Sequence, residues 1–177
     1  MVAIVAADMK WFLSGGSANT NPNNSLGGIR STTAITDNTL RNLFDDVGVV
    51  EAQLGDVEYR CLYLKNDHAT DTLHAVKIWI DSNTPSASTD MAIGLDPAGV
   101  TDGVSPPAAV PSPLDENNPP SGVSFSASPL PTSQATGLLI GDMGPQTCQA
   151  IWVRRTVTAL APAAGHDAST YKIAGTP

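Results

Sequence analysis

Histidines, cysteines, serines and carboxylates are the side chains that could do chemistry here, and none of them falls into a recognisable catalytic spacing. His68, His74 and His166 lie in or beside turn-rich stretches, and none has a second His or a carboxylate at the spacing of a helical or hairpin metal site. They read as surface histidines. No Gly-x-Ser-x-Gly elbow supports a serine nucleophile, and no Gly-x-x-x-x-Gly-Lys-Ser/Thr or Gly-x-Gly-x-x-Gly stretch forms a phosphate cradle. Glycosidases need only two carboxylates across a cleft, and Asp45-Asp46, Asp96 and Asp115-Glu116 are the visible choices. Asp115-Glu116 lies in a Pro-rich stretch poorly suited to holding an acid rigidly. Asp45-Asp46 closes an expected helix, where carboxylates oppose the dipole. No Asp-x-Asp/Asn-x-Asp-Gly loop offers a calcium site. The expectation is a protein that is not an enzyme, with no catalytic, cofactor-binding or metal-ligating residues and no cofactor.

Cys61 and Cys148 each lie in an apolar, strand-like run, Tyr59-Arg60-Cys61-Leu62-Tyr63 and Cys148-Gln149-Ala150-Ile151-Trp152. A disulfide between them is one reading. In an unexported protein two small buried hydrophobes is the better one. Arg154-Arg155 follows Trp152 on one expected strand, where successive side chains face opposite ways, so one arginine faces outward and the other meets a neighbouring strand, loop or carboxylate. An anchor to an acidic subunit surface is the functional alternative. Trp11, Trp79 and Trp152 could stack on sugars, but each sits in an apolar strand that points to the core.

The elements that must position these residues are strands. The chain has 177 residues, enough for one domain that buries roughly 70% of its unfolded-chain surface. Gly 15 and Pro 14, against 15% charged and 5% aromatic residues, favour short strands and long loops. Met9 to Leu13, Ile29 to Ile35, Glu58 to Lys65, Leu73 to Asp81, Met91 to Leu95, Val123 to Ala127, Thr136 to Ile140, Thr147 to Val157 and Thr170 to Ala174 read as strands. The polar loop between Lys65 and Leu73 makes Glu58 to Asp81 a hairpin. Leu40, Leu43, Phe44 and Val47 stand at helical spacing after Asp37 or Asn38 as N-cap, the one helix expected. Ser17 to Gly28 is an Asn-rich loop. Residues 96–131 form a Pro-rich excursion, expected to be exposed and to pack against something other than its own core. The predicted fold is all-β, an antiparallel β-sandwich of Ig-like or jelly-roll type with long Pro/Ser/Asn-rich loops, in one domain over 1–177.

The formal charge of -8 opposes binding to polyanions, so neither nucleic acid nor an anionic membrane is an expected direct partner. Met1 to Ala7 is too short for a secretory core segment, and no stretch reaches the roughly 20 apolar residues of a membrane span.

The strings Lys10-Trp11-Phe12-Leu13-Ser14-Gly15-Gly16 with Ser25-Leu26-Gly27-Gly28, Glu58-Tyr59-Arg60-Cys61-Leu62-Tyr63-Leu64-Lys65-Asn66, Lys77-Ile78-Trp79-Ile80, Ala92-Ile93-Gly94-Leu95-Asp96 and Ala150-Ile151-Trp152-Val153-Arg154-Arg155 resemble uncharacterised structural proteins of tailed bacteriophages. The resemblance breaks across the Pro-rich excursion. It implies a non-enzymatic virion subunit, a capsid decoration or cement protein or a head-tail or tail accessory protein, made in the host bacterial cytoplasm. Its partners would be the major capsid protein or connector and tail subunits, with homo-oligomers in the particle. The surface expected to meet them includes Trp11, Arg154, Arg155 and the prolines Pro106, Pro107, Pro111 and Pro113. A carbohydrate- or receptor-binding module on the particle surface is the alternative.

Overall fold

In Leu73 to Ser82 the buried residues Val76, Ile78 and Ile80 alternate with side chains that face away, the period of a strand with one face in a core. The two central strands of the larger sheet behave differently, being buried almost throughout: Cys148 to Val153 has no exposed position. A strand buried on both faces requires a layer on each side. The computed structural model, which describes residues 3–126, 131–164 and 167–177, shows what those layers are.

The chain is all-β, with seven strands in two antiparallel sheets among the described residues. They are β1 (Met9–Leu13), β2 (Asp56–Asn66), β3 (Leu73–Ser82), β4 (Thr89–Thr101), β5 (Leu138–Met143), β6 (Cys148–Val157) and β7 (Thr170–Thr176). The larger sheet has the order β1-β2-β6-β4 and the smaller β5-β3-β7. β2 and β6 pair without interruption from Asp56 opposite Val157 to Lys65 opposite Cys148. β4 pairs with β6 but shifts register between Leu95 and Val100. No helix among the described residues is long and apolar enough to cross a membrane.

One core lies between the sheets, where Leu62, Leu64, Ile93, Ile151 and Val153 meet Leu73, Val76, Ile78, Ile80 and Met143. A second cluster, Phe12, Cys61, Tyr63, Cys148, Ala150 and Trp152, occupies the opposite face of the larger sheet, with Ala109, Val123 and Phe125 packed onto it. Loops form this third layer. The excursion expected to pack elsewhere therefore packs on its own sheet, and Pro107, Pro111, Pro120 and Pro131 are buried while Pro106 and Pro113 are exposed. The physical reason is the open apolar face bearing Tyr63 and Trp152, which no strand covers. Close approach needs bare backbone on the sheet and in the Asn-rich loop: a Cβ on Gly94 of β4 would stand 2.4 Å from Val123 Cγ1, and one on Gly27 of that loop would stand 3.0 Å from Val110.

Three other expectations change. Glu58 to Asp81 is not a hairpin, because β2 and β3 belong to different sheets. The polar loop crosses between the sheets, and buried Asn66 fixes the crossing by donating its amide to Asp71 O and Met143 O, both at 2.9 Å. The segment from Asp37 to Val47 is not helical. Asn38 and Arg41 take φ of 54° and 60°, and Leu43 and Phe44 pack against the core. The helix comes later, as α1 (Val49–Leu54), where Glu51 accepts from Gly48 N at 2.6 Å and Gly55 ends it at φ 78°. Ile29 to Ile35 is no regular strand. It flanks β1 through Ser31 N to Leu13 O, Leu13 N to Thr33 O and Ile35 N to Trp11 O, with one bridge, Phe12 opposite Ala34. Phe125 similarly bridges Gly94 on β4, and Ala127, the end of that expected strand, lies outside the described residues, as do Met1, Val2 and Pro129.

β1 and β2 are also clamped by Asp67, which accepts from Lys10 at 2.5 Å and from Lys65. These two ammonium groups hold the carboxyl at about 2, below its ordinary value. Stability from this clamp is full above the ordinary carboxylate range and disappears as pH falls from about 4 towards 2. Acid titration of thermal stability is expected to show a smaller loss over this window in Asp67→Asn than in the parent. Gly94→Ala is expected to lift the loop layer while leaving the sheets formed, read as faster proteolysis within residues 97–126 with an unchanged far-UV spectrum.

Candidate functional site: two polar centres that hold the loop layer

Asp96 lies where β4 departs from β6, and its side chain turns back beneath the excursion. It is 2% exposed. Oδ1 accepts from Ala98 N and Ala108 N, each at 2.9 Å, and Oδ2 accepts from Ala109 N and Trp152 Nε1, each at 3.0 Å. Four N–H groups thus surround a carboxylate that has no cationic partner among these contacts, and charge-assisted bonds to N–H groups compensate for its burial. Local sequence explains part of this. Asp96-Pro97-Ala98 is an Asx turn, in which the side chain captures the N–H two residues on. Trp152 brings the central strand to the same oxygen. Asp96 is consequently a bracket between sheet and loops, with no oxygen left facing solvent for acid-base work.

The second centre lies at the far end of the inter-sheet face, where β2 and β6 extend beyond β1. Glu58 and Arg155 are register partners, and Arg60 follows on the same face of β2. All three are buried. Arg155 Nε donates to Glu58 Oε2 at 2.5 Å, and its Nη1 donates to Asp45 O at 2.6 Å. Arg60 Nη2 donates to Glu116 Oε2 at 2.7 Å and Asn23 Oδ1 at 3.2 Å, while Nη1 donates to Tyr59 O at 3.1 Å. The Phe44 ring lies against both guanidinium groups, 5.1 Å from Arg60 and 4.8 Å from Arg155. Burial pushes the Glu58 carboxyl above its ordinary value, opposed by Arg155 and Arg60 and reinforced by Glu116. Two arginines on adjacent central strands therefore tie down three separate loops, those carrying Asn23, Phe44-Asp45 and Glu116. The free margin of β2 beyond β1 is closed by the same loops: Cys61 N donates to Ser25 O at 2.6 Å, and Tyr59 N to Glu116 O at 2.7 Å.

The candidate carboxylates thus separate. Asp45 faces Arg155 at 3.5 Å, Asp46 pairs with Arg41 on the surface, Asp115 caps Asn117 N at 3.0 Å, and Glu116 is bound by Arg60. Asp115 and Glu116 do line a shallow depression of about 430 Å³ with Asn23, Leu26, Pro113 and Leu114. Oxygens of Glu51, Asp56 and Glu58 lie within 4.8 Å of one another, but each residue already accepts a hydrogen bond, from Gly48 N, Asn117 Nδ2 and Arg155 respectively.

Arg154 points to the opposite face from Arg155 and lies over Phe125 at 5.3 Å. Of the expectation that one arginine faces outward and the other meets a neighbouring strand, loop or carboxylate, Arg155 fits the second half through Glu58 and Asp45, while Arg154 is half-buried against Phe125 and does not face freely outward. Both are held within the chain, as are Pro107 and Pro111, so of the residues expected at a subunit interface only Pro106 and Pro113 are exposed, with Trp11 half-buried. Trp79 is 8% exposed and Trp152 fully buried, which leaves no three-tryptophan platform. His68 Nδ1 accepts from Asp71 N at 3.0 Å, His74 faces Asp142 at 2.9 Å on the surface, and His166 lies outside the described residues. Cys61 and Cys148 are buried free thiols, both pushed up by burial. Cys61 stands opposite Trp152 and Cys148 opposite Lys65, which separates them by four residues along the pair, about 13 Å, beyond disulfide reach. Sequence reasoning named Asp96 only among the visible carboxylates, without its bracketing role, and passed over Glu58, Arg60 and Phe44 as members of a site. The signal it had for these was the two opposite charges, Glu58 and Arg60, spaced by two on one face of a strand that continues with Leu62 and Leu64.

Asp96→Asn replaces an acceptor of four N–H groups with an amide that turns a donor towards two of them. It is expected to cost at least about 2 kcal/mol in denaturant unfolding. Trp152 fluorescence is expected to shift towards that of a hydrated indole. Comparison of the chain with family models, with curated proteins and with solved structures returned no match.

Proposed function

We propose that the chain is a non-enzymatic structural subunit of a tailed-phage virion, of the capsid decoration or cement type or a head-tail or tail accessory, which docks on a neighbouring subunit. The reading rests on the resemblance of its strand segments to such proteins and, in the structure, above all on one surface. α1 presents Val49, Val50 and Leu54 outward, with exposures of 76%, 66% and 76%. Val50 and Leu54 are one helical turn apart on one face. Leu160, 83% exposed, lies beside them, its N–H directed to Gln53 O and the next N–H, of Ala161, to Ala52 O. Folding gains nothing from leaving such a group in water, and contiguous exposed apolar side chains mark interaction surfaces. The contact surface is thus moved from the Pro-rich excursion, which is occupied with its own sheet, to α1 and the 160 loop.

An architecture of β-sandwich type accompanies this proposal, supported by the single core to which both sheets contribute. No specific observation favours the glycan- or receptor-binding alternative, since Trp79 and Trp152, two of its three stacking residues, are buried.

Quantitative mass spectrometry of purified particles tests the function. Hundreds of copies per particle would indicate capsid decoration, about three to twelve a connector or tail position, and absence from particles would sink the proposal. The double substitution Val50→Glu with Leu54→Glu is expected to leave the melting temperature of the isolated protein within a few degrees and to reduce incorporation at least tenfold.

A further inference from the structure

β7 ends the smaller sheet on one side, and among the described residues its backbone pairs only with β3. Every second N–H and C=O along its other side therefore faces away from the sheet. The chain deals with its other sheet margins itself. Residues 31–35 flank β1, Phe125 and Ser126 flank β4, and β5 carries Gly141 at φ 98° and the exposed carboxylate of Asp142, features that discourage strand pairing. β7 has one charged residue, Lys172, whose ammonium is 2.8 Å from Asp81. Beside it runs an apolar groove of about 340 Å³ lined by Ile4, Val5, Met9, Trp11, Ile173 and Pro177 among others. Neither β1 below nor β7 beside it closes this groove.

We propose that β7 of a second copy pairs antiparallel with this edge about a two-fold axis at Ile173, joining the two smaller sheets into one. The register is self-complementary. Ile173 meets its own equivalent, Lys172 falls opposite Ala174 of the second copy and so avoids another lysine, and Tyr171 falls opposite Gly175, whose inner face is already covered by Leu73 of its own chain. Tyr171 and Ile173 pack towards the inter-sheet core. The same side chains of an added strand would enter the groove over Met9 and Trp11, so half-buried Trp11 gains its cover from the second copy. The pairing is isologous and closes at two copies. It goes beyond the virion reading and stands or falls without it.

Sedimentation velocity of the full chain from about 1 to about 100 μM reads the association directly. A reversible dimer is expected. Ala174→Lys places a lysine opposite Lys172 twice across the two-fold axis and is expected to weaken the dimer about tenfold, whereas Ala174→Glu creates two opposite-charge pairs and is expected to tighten it several-fold. Circular dichroism and thermal melting of both variants check that each monomer is folded, and the Glu variant carries the test if the Lys variant is not. A monomer throughout the concentration range overturns the proposal. So does a dimer whose affinity is indifferent to the sign of the charge at 174.

Discussion

A four-stranded sheet that is apolar on both faces, accompanied among the described residues by three further strands, sets the constraint to which the rest of the molecule responds. The three-stranded sheet covers one face, and the other, bearing Tyr63, Ala150 and Trp152, must be covered by backbone that has no strand partner. Loop backbone brought onto an apolar surface loses water from its N–H and C=O groups and must find replacements. Asp96 answers this by gathering two loop N–H groups, those of Ala108 and Ala109, with Ala98 N of β4 and one indole on a single carboxylate, and Tyr63 answers it by donating its hydroxyl to Gly28 O at 2.9 Å. The polar composition of the loops and the apolar composition of the sheet are two sides of one arrangement.

The ionic centre works on a different balance. A buried pair such as Glu58–Arg155 recovers its desolvation cost only with good geometry and further hydrogen bonds, and replacement by apolar side chains is often neutral or better for stability. What hydrocarbon could not do here is reach Asp45 O, Asn23 Oδ1 and the Glu116 carboxylate with directional bonds from two adjacent strands. Specification of where three loops sit is the function this geometry supports. It explains why Glu58, Arg60 and Arg155 are buried, while Val49, Val50 and Leu54 of α1 are exposed.

Strand positions were legible in the sequence because alternation and turn clusters are local properties, and β1, β2, β3, β6 and β7 fall where those patterns put them. Pairing was not legible. The loop after Asn66 has the length and polarity of a hairpin connection, yet the amide of Asn66 commits it to Met143 across the sheets. The helix was displaced because spacing alone cannot show that Phe44 is wanted between two arginines, which removes it from a helical face. Pro, Ser and Asn in residues 96–131 are the composition of solvated backbone. Their cover depends on Gly94 and Gly27, far apart in sequence, being bare at the points of closest approach. Of the polar centres, alternation did place Arg154 and Arg155 on opposite faces, but nothing local could choose between a strand, a loop and a carboxylate as the partner or name Glu58.

The strand order carries a kinetic consequence. No two strands joined by a short connection are hydrogen-bonded to each other: β2 lies beside β6, β4 beside β6, β3 between β5 and β7, and β1 is separated from β2 by the whole Asn-rich loop and α1. Each pairing must close a long loop before any ladder bond rewards it, and no β-hairpin among the described residues serves as a local nucleus. Such a chain belongs with slow-folding, high-contact-order proteins, for which milliseconds to seconds is the usual scale. Until β6 arrives, the long β2 has one edge with no strand partner, so the interval between synthesis and closure is when this protein is most exposed to wrong partners.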